Sequence, residues 1–203
     1  VSLQHVADED GAILRKKIQI PKDWEGKLIR LRFDSIYPCG KVFVNGRELG
    51  GHYSGLTPVE FDVTGIVEAG RDASVALRLY RKHKFVKMDM VRHAAEFAGM
   101  AQPASIYAVE KCHISSYHLP SALNASLDLG TVDGEVTLKN SGAEAAKGVL
   151  EVSLRELSGK QICAVVKSVE IRKGAELVCP VKLAAKKPEL WNDEFPNLYQ
   201  VAV

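Results

Sequence analysis

The stretch from Lys41 to Thr64, KVFVNGRELGGHYSGLTPVEFDVT, constrains the fold more than any other part of the chain. Val42 and Val44 fall on one side of an extended backbone and Phe43 on the other, because side chains alternate along a strand. Asn45-Gly46 follows. Both central residues of a two-residue hairpin turn need positive φ, and Asn-Gly adopts that conformation at little cost. After a short return strand, Gly50, Gly51 and Gly55 bracket His52 and Tyr53 in a predicted glycine-rich loop. Val59, Phe61 and Val63 then alternate with Glu60 and Asp62. Strand, tight turn, strand, loop and strand predict antiparallel sheet.

The same rhythm runs through most of the chain. Residues 1–12 read as polar and irregular, with a turn at Asp8-Glu9-Asp10-Gly11. Ile18 and Ile20 alternate with Lys17 and Gln19, and Ile29, Leu31 and Phe33 alternate with Arg30 and Arg32. Val75, Leu77 and Leu79 predict another strand, and Ser105 to Val109 one more. Residues 81–104 break the pattern. We read them as a long irregular loop with one helical turn, a short helix being the alternative. From Ile114 onward, alternation at Val136/Leu138, Leu150/Val152/Leu154, Ile162–Ile171 and Leu177–Leu183 predicts a second set of strands. Their spacing is that of an immunoglobulin-like sandwich, without its Cys–Trp–Cys signature.

The 203 residues suffice for two domains, and 46% apolar with 26% charged residues fits a folded globular chain. A net charge of +2 with interspersed signs gives no basic face for nucleic acid. No run reaches the roughly 20 apolar residues that span a membrane. The four cysteines, Cys39, Cys112, Cys163 and Cys179, form no C-x-x-C pair, which argues against zinc or redox motifs and leaves disulfide pairing open. Cys179 lies in the apolar alternation and reads as a core residue. The six histidines, His113 and His118 among them, show no metal-ligand spacing, and no cofactor motif is present. The start at Val1, with neither Met nor signal peptide, suggests a processed or truncated chain and does not disclose a compartment. A periplasmic or secreted location is favoured over the cytoplasm.

Three stretches carry a resemblance. VFVNGRELGGHYSGLTPVEFDVT resembles the centre of the sugar-binding jelly-roll domain of glycoside hydrolase family 2, which includes β-galactosidases, β-glucuronidases and β-mannosidases. ILRKKIQIPKDWEGKLIRLRF is similar to the segment that precedes it, with Leu14-Arg15-Lys16 where Y-R-R is usual. PELWNDEFPNLYQVAV resembles the close of the family's immunoglobulin-like second domain. The resemblance implies an all-β chain: a partial galactose-binding-like jelly roll over about residues 1–112, then an immunoglobulin-like β-sandwich over 113–203. It also implies that the catalytic barrel, which carries the family's two carboxylates, is missing. The parent would be a β-galactosidase-like hydrolase of O-glycosyl bonds, and this chain its inactive platform beside the substrate entrance. The alternative is a stand-alone carbohydrate-binding or adhesion module.

No catalytic residue is therefore expected. Glu60 and Asp62 share a strand face but read as partners of Arg, Lys and Thr64 rather than as an acid/base pair. For carbohydrate, Tyr53 with His52 supplies an aromatic and a planar polar group in a loop. Trp24 and Tyr107 are alternatives, Trp24 being read as packing across the end of the sandwich. In several β-galactosidases of the family an acidic residue precedes a G-I-[FY]-R strand. The matching strand here is Ser105-Ile106-Tyr107-Ala108, and the upstream acids Asp89 and Glu96 do not fall at the family spacing. They stay as candidates, with a solvated loop charge as the favoured reading. Trp191 reads as an inter-sheet or interdomain anchor.

Overall fold

The computed structural model describes residues 4–8, 11–80 and 99–203, with side chains from residue 11 onward. It divides into two units, Val1–Glu110 and Lys111–Val203. Among the described residues the only helical element is one 3₁₀ turn, Lys22–Trp24.

The first unit contains β1 (Gln4–Asp8), β2 (Gly11–Gln19), β3 (Leu28–Phe33), β4 (Cys39–Val44), β5 (Arg47–His52), β6 (Val59–Asp62), β7 (Asp72–Tyr80) and β8 (Ala104–Val109). Five of them form a sheet in the order β1-β2-β7-β4-β5, and three form a second in the order β6-β3-β8. Ile29, Leu31 and Phe33 of β3 are buried in one cluster with Val42 and Val44 of β4 and Leu77 and Leu79 of β7. Each such side chain contributes about 1.5–3 kcal/mol of burial. The predicted turn closes with Asn45 at φ 50° and Gly46 at φ 82°. Asn45 also ties that turn to the rest of the unit. Its main-chain N–H donates to Ser74 O at 2.8 Å, its Oδ1 accepts the Ser74 N–H at 2.9 Å, and its Nδ2 donates to Ile66 O at 2.9 Å.

Two expectations for this unit need correcting. Residues 4–8 are a strand, because β1 pairs antiparallel with β2 from Gln4↔Arg15 to Asp8↔Gly11. That pairing partner, not local apolar alternation, makes the segment extended. Gly50 and Gly51 lie in β5 rather than in the loop. Val42 pairs with Gly50 and Phe43 with Glu48, so Leu49 is the extra residue of a bulge. The loop begins only at Tyr53. Most of the irregular segment expected at 81–104, and with it Asp89 and Glu96, lies outside the described residues.

The second unit contains β9 (Cys112–His118), β10 (Ser121–Leu123), β11 (Leu129–Asn140), β12 (Ala146–Glu156), β13 (Gln161–Ile171), β14 (Glu176–Lys186) and β15 (Tyr199–Ala202). One sheet has the order β10-β11-β14, with β9 also along β11, and the other has the order β13-β12-β15. Val132, Val136, Leu150, Val152, Leu154, Cys179, Val181 and Leu183 are buried in its core. Asn140, itself buried, closes the β11 end. Its Nδ2 donates to Ile171 O at 3.0 Å and to Glu144 O at 2.8 Å, and its Oδ1 accepts the Gly142 N–H at 2.9 Å. Ser153 lies between Val152 and Leu154, on the opposite phase of β12. It is buried because β12 is the central strand there, with Ala164 opposite on one side and Ala202 on the other. Ile162–Ile171 falls within one continuous strand.

Gly134 sits where the edge of β11 passes from β9 to β10. A Cβ built there lies 2.0 Å from His118 O, a backbone atom that cannot step aside alone. Gly148 has nothing within 4 Å of the same position. Gly134→Ala is therefore expected to lower the unfolding free energy by about 1–3 kcal/mol, and Gly148→Ala by less than about 0.5 kcal/mol. Urea unfolding of the three proteins, followed by circular dichroism, checks the contrast.

Candidate functional site

The end of β5 and the loop after it carry the predicted sugar-facing pair, and the structure separates the two. His52 is only 8% exposed, with Nε2 3.5 Å from Thr57 Oγ1. Its place is inside the loop base. That base is fixed from below: the Ile36 N–H donates to Gly55 O at 3.1 Å, and the Ser35 hydroxyl donates to the same oxygen at 3.2 Å. Tyr37 exchanges both main-chain hydrogen bonds with Gly99 at 2.8 Å. Tyr53 is 38% exposed. Its ring lies over Gly51, where a Cβ would come within 2.6 Å of the phenol oxygen.

Gly51 pairs with Lys41, and Lys41 with Arg78 across β4 and β7. These residues share the outer face of the five-stranded sheet. Lys41 Nζ is 2.8 Å from Glu48 Oε1. That hydrogen bond and charge hold the ammonium above its ordinary value. The Arg78 guanidinium lies 5.2 Å from the Tyr80 ring centroid. One face thus presents two aromatic rings, two cations and a carboxylate. An aromatic plane with directional hydrogen-bonding groups beside it is what pyranose rings require of a binding surface. Lys41, Glu48 and Arg78 were not singled out from the sequence. Their signal is the pairing register, which a single strand does not display.

The outer face of the three-stranded sheet is a second polar array. Arg30 stands opposite Asp62 and Tyr107, and Arg32 opposite Glu60 and Ser105. Arg30 Nη1 is 2.8 Å from Asp62 Oδ2, and Asp62 Oδ1 accepts the Thr64 N–H at 2.9 Å. Burial pushes the Asp62 carboxyl up, but the Thr64 hydroxyl and amide together with Arg30 outweigh it, and the group sits below its ordinary value. Arg32 Nε donates to Asp34 Oδ1 at 2.6 Å. The Tyr107 hydroxyl donates a hydrogen bond to Glu60 Oε2. Glu60 and Asp62 are each engaged with a separate structural partner, as a sheet face holds complementary charges in place.

The remaining candidates are dispersed. Trp24 is partly buried against the first core. Trp191 is 64% exposed. It is therefore no inter-sheet anchor; among the described residues its only strand-type contact is a bridge to Pro196. Among the described residues no group of His, Cys, Asp and Glu converges as metal ligands, and the four cysteines are free thiols. Burial raises the Cys39 thiol.

Tyr107 supplies a titration test. Burial raises its phenol above the ordinary 10.0, and the hydrogen bond and charge of Glu60 raise it further. A folded value above the unfolded one means that the stabilisation is whole below about pH 10 and is lost as pH climbs through the folded value. Ultraviolet titration is expected to show a tyrosine ionising above the ordinary 10.0. Glu60→Gln should bring it back towards the ordinary range.

Comparison with known proteins agrees with this architecture. The family model described as "Glycosyl hydrolases family 2, sugar binding domain" matches residues 4–107, and the model "Glycosyl hydrolases family 2" matches residues 112–203. A β-glucuronidase of Bacteroides fragilis is 28% identical over 193 residues, covering 93% of this chain and 28% of that protein. A β-galactosidase of Thermoanaerobacter pseudethanolicus is 26% identical over 196 residues, covering 93% of this chain and 25% of that protein. Among solved structures, a Bacteroides uniformis β-glucuronidase superposes with a TM-score of 0.85 at 21% identity, over 95% of this chain and 24% of that one. The chain thus spans about a quarter of the length of the curated relatives it matches. With one model covering residues 4–107 and the other 112–203, this chain belongs to glycosyl hydrolase family 2.

Proposed function

We propose that this chain is the non-catalytic sugar-binding and scaffold portion of a longer β-galactosidase- or β-glucuronidase-like glycoside hydrolase. The jelly-roll unit, proposed as residues 1–112, shapes access to the substrate, and the immunoglobulin-like unit, 113–203, serves as its spacer. The observation that carries this reading is the state of the carboxylates. Glycosidic bond cleavage by the usual route takes two carboxyl groups facing one sugar, one of them free to give up a proton. Glu60 is held by Tyr107 and Asp62 by Arg30 and Thr64. The catalytic pair would lie in the remaining three-quarters of a relative-length protein.

The outer-face group around Tyr53 would contact carbohydrate in that longer protein. The same group favours the second reading, a free-standing carbohydrate-binding module, because its ring and charges lie on an exposed face. Asp89 and Glu96 stay as proposed contributors from the segment between β7 and β8.

Two assays on the chain separate these readings. Chromogenic β-galactosides and β-glucuronides are expected to show no turnover above buffer, and turnover would overturn the non-catalytic assignment. Titration with the same sugars by amide chemical shifts is expected to give at most millimolar affinity centred on Tyr53. Saturable binding well below that, abolished by Tyr53→Ala, would favour the free-standing module.

A further inference from the structure

We propose that the outer face of the five-stranded sheet binds an anionic glycan chain, its charge borne as carboxylate or sulfate, along a strip from Arg15 through Arg78 to Lys41. The assignment rests on the carbohydrate-facing reading of the Tyr53 group and adds the charge of the ligand and its course across the strands. Ala12, Leu14 and Ile18 of β2 pack against the first core, and Leu77 and Leu79 of β7 and Val42 and Val44 of β4 are buried in it. Alternation therefore sends Arg15, Arg78, Lys41 and Phe43 to the opposite face. Arg78 stands directly opposite Lys41. Like charges so placed cost stability until an anion lies against both. Arg15 pairs with Ala76 and Ile13 with Arg78, which makes Arg15 the diagonal neighbour of Arg78, about 7–8 Å away.

The charges on this face do not cancel. Among the described residues its cations are Arg15, Lys17, Lys41 and Arg78, and its carboxylates are Glu48 and Asp72. Lys17 is paired with Asp72 at 2.7 Å and Lys41 with Glu48 at 2.8 Å. Both carboxylates are thus taken by lysines, and among the described residues neither guanidinium has an acidic partner. The three-stranded sheet of the same unit is the contrast, with Arg30 paired to Asp62 and Arg32 to Asp34. The free guanidiniums also have suitable neighbours. Arg78 lies over the Tyr80 ring, 5.2 Å from its centroid. Stacking of this kind uses the guanidinium face and leaves the in-plane N–H fork for a carboxylate or sulfate. A further ring, half-buried Phe43, stands opposite Ala76, whose methyl group is too short to cover it. Gly51, opposite Lys41, carries the Tyr53 ring. Aromatic planes between cations suit an acidic sugar, whose ring has an apolar side and whose substituent is charged. Two uncompensated guanidiniums are few for a nucleic acid, which is held by many neutralised phosphates.

The test titrates the 203-residue chain with an oligogalacturonate, a sulfated galactan oligosaccharide, a neutral galactan oligosaccharide of the same length and a single-stranded DNA oligonucleotide, followed by amide chemical shifts. At least one acidic glycan is expected to bind about ten-fold or more tighter than the neutral one, with shifts centred on Arg15, Ala76, Arg78 and Lys41. The stronger of the two acidic glycans tells carboxylate from sulfate. Arg15→Gln and Arg78→Gln should each weaken that binding by about three- to five-fold. Arg32→Gln removes the same charge from the other sheet and should leave the binding unchanged. The shifts of the unsubstituted chain decide the matter even where a variant fails to fold. Equal affinity for neutral and acidic glycans on this face would overturn the anionic assignment and leave the sugar-facing reading standing. No shifts on this face with any glycan would overturn both. Tighter binding of the oligonucleotide, or an equal loss from Arg32→Gln, would also overturn the proposal.

Discussion

The burial of one side of every strand is the constraint on which the rest of this structure depends. Residues alternate across a sheet with a period of two, so a strand whose apolar residues recur at that period has one face that must leave water. Ile29, Leu31 and Phe33 do this in β3, and Val42 and Val44 in β4. Leu150, Val152 and Leu154 do it in β12, and Cys179, Val181 and Leu183 in β14. A one-residue slip in any of these strands would turn its whole apolar set outward. Two asparagines help to hold the register. Asn45 ties its hairpin turn to Ser74 and Ile66, and Asn140 ties the end of β11 to Ile171 and Glu144. Both use a side-chain amide to satisfy main-chain groups that a strand ladder leaves over at its ends.

Commitment of the inner faces leaves the outer faces for polar chemistry, and the two sheets of the first unit use them differently. On β6-β3-β8 the polar groups engage one another, Arg30 with Asp62 in an ion pair and the Tyr107 hydroxyl with Glu60 in a hydrogen bond. Partly exposed pairs of this kind contribute little to stability but occupy the carboxylates. On the five-stranded sheet, Tyr53 lies over a glycine beside Lys41, Glu48 and Arg78, and its ring stays partly in solvent. The first face is structural and the second is suited to a hydroxyl-rich ligand.

Much of the fold was legible in the sequence because alternation and Asn-Gly turn chemistry are local signals. Val42-Phe43-Val44-Asn45-Gly46 predicts its own hairpin, and the strands around Val136, Val152 and Val181 lie where their apolar phase puts them. The failures trace to non-local pairing. Nothing in residues 4–8 alternates clearly, and only the β2 partner makes them a strand. The Leu49 bulge moved Gly50 and Gly51 out of the expected loop. The candidate site was half visible: Tyr53 stood out as an aromatic among glycines, whereas Lys41 and Arg78 join it only through cross-strand register. At the end of β5 one step along the chain takes a side chain from buried His52 to partly exposed Tyr53.

The central claim is that this chain supplies a sugar-facing platform whose Glu60 and Asp62 are occupied by neighbouring groups rather than placed for catalysis. Mechanism-based glycoside inhibitors test it most directly, because they form an ester only with a carboxylate placed and free to act as nucleophile. Intact mass spectrometry after incubation with galactose- and glucuronic-acid-configured reagents should show the unmodified chain. A stoichiometric adduct mapped to Glu60, Asp62 or any other carboxylate of the chain would contradict the account.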